Sequence, residues 1–193
     1  MTKPLSPGLK LAFPVIITLL ILIDQVTKWW VIERYFRLRS FEATGESIDF
    51  LPWLFSLRME KLPSMRAEMT PWFDLVMAWN KGVSFSMFTS ESTYVAYILI
   101  GVALTLSLVF FYWLMTTNSK MTAFPLVLIV AGALSNVWDR VRFGAVADFL
   151  YFHVGSYGWP AFNLADSCIV AGVALLAYDG LFLEPKRKKG YVP

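Results

Sequence analysis

Acidic, amide and cationic side chains lie inside or at the ends of strongly apolar stretches of this sequence. They are Asp24, Lys28, Asn80, Asn136, Asp139, Arg140, Asp148, Asn163 and Asp166. A spacing of four residues puts Asp24 and Lys28 on one helical face, and the spacing of Asn136, Asp139 and Arg140 does the same. A charge within a bilayer costs roughly 3 kcal/mol or more, so each of these residues is a candidate for function.

Three of the carboxylates, on Asp139, Asp148 and Asp166, are candidates for a catalytic pair. Two carboxyl groups close together in a low-dielectric site cannot both ionise readily, so they share one proton. The ionised member can take a proton from a water that attacks an amide carbonyl, while the protonated member polarises that carbonyl and assists the leaving amine. Such a pair needs no covalent intermediate and no cofactor. The spacing alone does not select Asp148 over Asp139 as the partner of Asp166.

Other chemistries fit the composition less well. The chain has one histidine and one cysteine, so neither an intramolecular disulfide nor a zinc site of Cys and His ligands is expected. A Ser–Lys pair of Ser84 or Ser86 with Lys81 is conceivable, but the spacing is a weak signal. A hard cation held by the three carboxylates is the remaining alternative.

These residues belong to a chain with the composition of a membrane protein. Of its 193 residues, 57% are hydrophobic and 16% are charged, against about 45–50% and about 25% in an average soluble domain. A helix crosses a bilayer with roughly 20 residues. Four apolar stretches predict spans at about 11–32, 94–115, 124–143 and 160–183. The first is not a cleavable signal peptide, because it continues through Asp24 and Lys28 without a small-residue cleavage site.

Lysine and arginine in the short connections predict the orientation of the spans. Lys3 and Lys10 precede the first span, Lys120 lies between the second and the third, and a KRKK run at 186–189 follows the fourth. Both termini are therefore expected in the cytoplasm, and the candidate residues are expected to converge at the outer membrane boundary. The KRKK run is interpreted as a contact with anionic lipid rather than with nucleic acid.

The connection between the first two spans, residues 33–93, is predicted to be β-rich and extracytoplasmic. Ser47–Leu57 and Asp74–Phe88 contain short apolar, aromatic and β-branched runs typical of strands. The charged, Pro-bounded stretch 58–71 between them is predicted to be a surface insertion. The expected fold is an all-α membrane protein of one domain, 1–193, with four transmembrane helices and a small extracytoplasmic β-rich segment between helices 1 and 2.

Five short segments, in this order, resemble those of the bacterial lipoprotein signal peptidase (signal peptidase II) family, aspartic proteases of the inner membrane. The segments are DQVTK (24–28), NKGVSFSMF (80–88), AGALSNVWDR (131–140), GAVADF (144–149) and PAFNLADS (160–167). Each segment alone is a weak signal. Together with four spans in the predicted orientation, they form a specific pattern that touches every span except the second.

The resemblance implies that Asp148 and Asp166 are the catalytic pair. It implies roles in orienting that pair, binding the substrate backbone or holding the fold for Asp24, Lys28, Asn80, Gly82, Asn136, Asp139, Arg140 and Asn163. The implied substrate is a prolipoprotein whose cysteine carries a diacylglyceryl group, and the cut falls just before that cysteine. No cofactor, metal ion or nucleic acid is implied. The expected partners are this substrate and the lipids of the bacterial inner membrane, and a monomer is expected.

Two other classes of protein could use the same residues. A small proton-coupled transporter or channel would employ the acids as a relay, but it would be expected to spread ionisable groups through the full depth of the membrane. A binding or scaffold protein would tolerate replacement of Asp148 and Asp166 at little cost.

Some candidates also have purely structural interpretations. Asn163 and Asp166 could be residues of an ordinary helix N-terminus, where the dipole favours a carboxylate. Asp139 and Arg140 could form a structural ion pair. Asn80 could be a turn residue.

Overall fold

Helices make up most of the protein, whose computed structural model describes residues 4–39, 46–57, 59–82 and 93–183. The helices in these ranges are α1 (Pro7–Trp29), α2 (Phe50–Phe55), α3 (Thr93–Thr116), α4 (Lys120–Phe143) and α5 (Leu164–Tyr178). α1 continues through π-helical and 3-10 turns to Arg39, and α5 continues to Leu183. Within the described ranges, four helices are long and apolar enough to cross a membrane, which confirms the four predicted spans. The ends of α3 lie within one residue of the predicted ones, whereas α1 begins four residues before its predicted start, α4 four residues before and α5 four residues after.

Side-chain caps account for some of these differences. Ser119 Oγ accepts the backbone N–H of Thr122 at 3.3 Å, so α4 begins several residues before the predicted start at 124. Asn163 caps α5, which therefore begins at Leu164 rather than at the predicted 160. Capping satisfies backbone N–H groups that have no partner within the helix.

The helix α4 lies at the centre of the bundle, in contact with α1, α3 and α5. Protein buries 61% of its most apolar stretch, but only 11% of the corresponding stretches of α3 and α5. Leu126, Val130 and Ala131 of α4 pack with Ile17 of α1 and Leu114 of α3 in one apolar cluster. Because α4 is surrounded by protein, its polar residues can be satisfied by neighbouring helices instead of facing lipid.

A four-stranded antiparallel sheet joins the helices at one end of α4. Its strands, in spatial order, are β1 (Arg66–Thr70), β2 (Phe73–Asn80), β3 (Val146–Val154) and β4 (Tyr157–Gly158). Only β1 and β2 come from the connection between the first two spans, while β3 and β4 connect α4 to α5. The sheet was expected, but its predicted confinement between helices 1 and 2 is not confirmed.

The predicted strand at Ser47–Leu57 is wrong, because its central residues form the helix α2. Phe50, Trp53 and Leu54 are spaced by three and four residues, which is helical periodicity. The fully buried Trp53 and the buried Leu54 pack with the ends of α1 and α4. Burial of this apolar side decides the conformation.

The second predicted strand, Asp74–Phe88, coincides with β2 over residues 74–80, and its residues 83–88 lie outside the described ranges. The stretch 58–71, predicted as an insertion, contributes the edge strand β1. β3 was not predicted as a strand. It pairs with β2 so that Ala78 lies opposite Asp148.

We expect Gly172→Ala to destabilise the protein by about 1–3 kcal/mol, because an added methyl group overpacks the contact between α5 and α4. A Cβ atom at this position would lie 2.7 Å from the Pro125 carbonyl oxygen and 2.7 Å from Ile129 Cγ1. Gly101→Ala on α3 is the matched control, since nothing lies within 4 Å of its added methyl. Thermal unfolding in detergent measures both, and equal midpoints for the two variants would contradict the expectation.

Candidate active site

Asp148 and Asp166 are brought together at the junction of the sheet and the bundle. Asp148 lies on β3 and is 2% exposed, whereas Asp166 lies in the first turn of α5. One residue, Asn163, bonds to both carboxylates: its Nδ2 donates to Asp148 Oδ1 at 2.8 Å, and its backbone N–H donates to Asp166 Oδ2 at 3.2 Å. The two acids therefore lie on either side of a single asparagine.

Asn136 on α4 is hydrogen-bonded to one of the two acids and to the asparagine between them. Its Nδ2 donates to Asp166 Oδ1 at 2.7 Å. Its Oδ1 accepts from Asn163 Nδ2 at 3.3 Å and from Lys28 Nζ at 3.4 Å. Both oxygens of Asp166 thus accept hydrogen bonds from N–H donors.

Asp166 also belongs to a capping box at the start of α5. Asn163 Oδ1 accepts the Asp166 backbone N–H at 2.9 Å, and the Asp166 side chain accepts in return from the Asn163 backbone. The interpretation of these two residues as a helix N-terminus is therefore correct as a description of geometry. It does not exclude chemistry, because the cap holds the carboxylate beside Asp148.

The electrostatics of Asp148 differ from those of an ordinary aspartate. Burial, and second the negative charge of Asp166, raise the pKa of Asp148 to about 7. Hydrogen bonds from Asn80 and Asn163 and the charge of Lys28 lower this pKa, but by less. A carboxyl group with a pKa near 7 carries a proton in a substantial fraction of molecules at neutral pH, as a general acid requires.

A buried ion cluster lies beneath the two acids. Lys28 Nζ is 2.7 Å from Asp24 Oδ2 and 2.8 Å from Asp139 Oδ2, and the three side chains are at most 2% exposed. Asp24 Oδ1 accepts the backbone N–H of Ala165 at 2.9 Å, and Asp139 Oδ2 accepts that of Ala147 at 3.3 Å. Each carboxylate of the cluster thus bonds to the residue that precedes one of the two candidate catalytic acids.

Asp139 does not form the ion pair with Arg140 that its neighbouring position suggested; among the described residues its ion-pair partner is Lys28. The two side chains diverge because adjacent residues of a helix point in directions about 100° apart. Arg140 Nη1 donates to the Asn136 carbonyl at 3.4 Å. A Cβ atom on Gly82 would lie 3.9 Å from Arg140 Nη2, so this guanidinium reaches the end of β2.

Asn80 and Gly82 form a turn at the end of β2. Asn80 Oδ1 accepts the Gly82 backbone N–H at 2.8 Å, and Gly82 has a φ of 83°, which a residue with a side chain rarely adopts. The interpretation of Asn80 as a turn residue is correct in this respect. Since Asn80 also acts on the Asp148 carboxyl group, the turn and the candidate pair are adjacent.

Three buried polar residues of the site were not predicted from the sequence: Gln25, Ser135 and Arg142. Gln25 Nε2 donates to Asp139 Oδ1 at 2.8 Å, and Ser135 Oγ donates to Asp24 Oδ2 at 2.6 Å. Arg142 Nη1 donates to Gln25 Oε1 at 3.1 Å. Two signals in the sequence could have identified these residues. Gln25 is an amide inside the apolar first span, and Arg142 is an arginine at the end of the third span.

The acidic side chains of the described residues are not arranged as a metal-binding cluster. Within the described ranges, no three His, Cys, Asp or Glu side chains gather closely enough to hold a metal ion. Asp139 is instead occupied by Lys28 and Gln25. The geometry thus gives no support to the alternative of a cation held by Asp139, Asp148 and Asp166.

Known proteins resemble this chain over most of its length. The profile of a family described as signal peptidase (SPase) II matches residues 16–182. A lipoprotein signal peptidase of Methylocella silvestris is 47% identical over 114 residues, which are 59% of this chain and 67% of that protein. One of Rhodopseudomonas palustris is 31% identical over 172 residues, which are 87% of this chain and 90% of that protein.

A solved structure of a bacterial membrane enzyme has the same fold. It superposes with a TM-score of 0.64 over 95% of this chain and 99% of its own, at 22% sequence identity. A second such structure gives a TM-score of 0.59 at 24% identity. At these identities the likeness concerns the fold alone.

We expect the stability of the protein to fall between about pH 4 and about pH 7 relative to Asp148→Asn, because the folded state binds the Asp148 proton more tightly than the unfolded chain. The pKa of Asp148 is raised to about 7, while an unfolded aspartate titrates near about 3.9. The stabilisation from this proton is complete below the pKa of the unfolded aspartate. It is lost as the pH rises, by at most about 1.4 kcal/mol per pH unit. Unfolding midpoints of both proteins across this range measure the effect, and a constant difference would contradict it.

Proposed function

The chain belongs to the signal peptidase II family of peptidases, and from this premise we propose that it cleaves the signal peptide from prolipoproteins with the Asp148–Asp166 pair. The cut falls just before a cysteine that already carries a diacylglyceryl group. The observation on which the pair depends is the position of Asn163, which bonds to both carboxylates at 2.8 Å and 3.2 Å.

The two acids have different roles in the proposed reaction. Asp166, with N–H donors on both of its oxygens, is the ionised member and accepts a proton from the attacking water. Asp148, whose pKa is raised to about 7, is protonated and donates a hydrogen bond to the carbonyl oxygen of the scissile bond. When the C–N bond breaks, Asp148 transfers its proton to the leaving amine, and the proton that Asp166 took from the water then passes to Asp148, which restores the pair. Water is the nucleophile, and neither a cofactor nor a metal ion takes part.

The surroundings of the pair suit a substrate held in a membrane. Asp148 lies on the sheet, and Asp166 lies two residues inside the last span, so both sit where a span meets the extramembrane part. An acyl chain can remain beside the apolar helices while the peptide bond reaches the sheet. Arg140 and the Asn80–Gly82 turn, which border the pair, are proposed to bind the substrate backbone.

The family and the four spans make this a multi-pass bacterial membrane protein. We propose that it resides in the inner membrane with both termini in the cytoplasm, because the basic residues flank the same ends of the spans. The catalytic pair then faces the extracytoplasmic side, where prolipoproteins emerge. A monomer suffices, because all the proposed catalytic groups belong to one chain.

We expect Asp148→Asn and Asp166→Asn each to lower the rate of cleavage by about a thousandfold or more, because neither variant can share a proton and activate water. The assay uses purified protein in detergent with a diacylglyceryl-modified prolipoprotein. Asp49→Asn is the matched control, since the Asp49 side chain is 82% exposed and bonds to Arg34 at 3.0 Å. Retained cleavage in either site variant, with an unfolding midpoint near that of the control, would remove that acid from the mechanism.

Treatment with a metal chelator is expected to leave cleavage unchanged within about twofold, because the proposed reaction uses water activated by a carboxylate rather than by a metal ion. The measurement is the cleavage rate after dialysis against chelator. Inactivation that a divalent cation reverses would refute the metal-free mechanism, whereas inactivation that no cation reverses would point to damage of the protein.

A further inference from the structure

Gln25 and Arg142 are buried polar residues that the proposed mechanism does not use. Gln25 on α1 is fully buried, and Arg142 in the last turn of α4 is 1% exposed. In the described part of the chain, no carboxylate lies within ion-pair distance of Arg142. A buried cation without a carboxylate partner is costly, so the groups that surround it must compensate.

Backbone carbonyls of α2 and of the residue that follows it provide most of this compensation. Arg142 Nη2 donates to the Trp53 carbonyl, and Nε donates to the Ser56 carbonyl at 3.2 Å. The guanidinium also stacks 3.9 Å from the centre of the Trp53 ring and 4.7 Å from that of Phe143. The carbonyl groups at the C-terminal end of α2 and of the residue after it thus hold the arginine in place.

A further donor of Arg142 is directed at Gln25. Arg142 Nη1 donates to Gln25 Oε1 at 3.1 Å. This bond fixes which end of the amide faces the cation, so Gln25 Nε2 points to Asp139 Oδ1 at 2.8 Å and to Ser135 Oγ at 3.1 Å. The amide therefore links the buried arginine to the ion cluster.

Asp139 is also hydrogen-bonded to β3, the strand that contains Asp148. Asp139 Oδ1 is bonded to Gln25, while Oδ2 accepts the backbone N–H of Ala147 at 3.3 Å. Ala147 precedes Asp148, and its carbonyl accepts from Asn163 Nδ2 at 3.3 Å. The orientation of the Asp139 carboxylate thus bears directly on the position of the backbone at Asp148.

We propose that Gln25 and Arg142 are positioning residues that hold Asp139, and through it the Ala147–Asp148 backbone, in the geometry needed for cleavage. This inference rests on the proposed function. Neither residue touches the reacting atoms in this arrangement. They act by fixing one oxygen of Asp139 so that the other remains available to the Ala147 N–H.

The experiment compares Gln25→Met, Arg142→Met and the double variant with the unaltered full chain in detergent. Methionine approximates the size of both side chains but cannot make their hydrogen bonds. We expect each single variant to lower kcat about 5–20-fold with KM changed less than about twofold, since a small displacement of a catalytic group acts on the chemical step. We expect the double variant to be within about twofold of the worse single one, because both residues act through Asp139.

Trp138→Phe is the matched control. Trp138 Nε1 donates to the Leu54 carbonyl at 3.2 Å, so this variant also removes a bond between α4 and α2, but not one to Gln25. Its kcat is expected to stay within about twofold of the unaltered chain. Equal losses in Trp138→Phe and Arg142→Met would show that docking of α2 in general, rather than the link through Gln25, affects cleavage, and would overturn the proposal.

A second readout does not depend on activity. Hydrogen exchange of the Ala147 amide is expected to be about tenfold faster in Gln25→Met and Arg142→Met, because its acceptor becomes mobile, and unchanged in Trp138→Phe. Unchanged exchange and unchanged kcat in Gln25→Met would overturn the proposal, as would losses that multiply in the double variant.

If Arg142→Met does not fold, Gln25→Met and Arg142→Lys are used for the test instead. If the unaltered chain does not cleave the substrate, the proposed function fails while the exchange result still judges the link to Ala147.

Discussion

A fully buried lysine between two carboxylates is the interaction on which the architecture of the site depends. Lys28 pairs with Asp24 on its own helix and with Asp139 on α4, at 2.7 Å and 2.8 Å. Removing one member of such a cluster leaves an unpaired charge in a medium of low dielectric. Other arrangements of the three side chains are therefore unfavourable. Because Asp24 also bonds to Ala165 and Asp139 to Ala147, this arrangement fixes α5 and β3 relative to each other.

The position of the candidate catalytic pair depends on this arrangement of α5 and β3. Asp148 and Asp166 belong to different elements, yet Asn163 and Asn136 tie them to one another and to Lys28. Their environments differ in a way that suits different roles. Asp166 accepts hydrogen bonds on both oxygens, whereas burial and the charge of Asp166 raise the pKa of Asp148 to about 7. Two carboxyl groups in unlike surroundings can serve as general base and general acid.

The helices and the family could be predicted from the sequence, whereas the sheet and most contacts of the site could not. Four spans and the family follow from long apolar stretches and from ordered short motifs, which are local signals, and both predictions are confirmed. The Asp24–Lys28 pair follows from a spacing of four residues. The sheet was only half anticipated, because a strand between α4 and α5 depends on a partner about 70 residues away. The catalytic roles of Asp148 and Asp166 stay predictions, drawn from resemblance rather than from spacing.

The amino-acid sequence alone establishes which residues are polar in an apolar setting, and therefore which groups must find partners. The partners themselves are known only from the fold. Asp139 pairs with Lys28 rather than Arg140, and Ser47–Leu57 contains a helix rather than a strand because Trp53 and Leu54 bury against other elements. Gln25 and Arg142 acquire a relation to Asp148 only when three elements meet. The physical reason is that pairing energies act between groups close in space, whatever their separation along the chain.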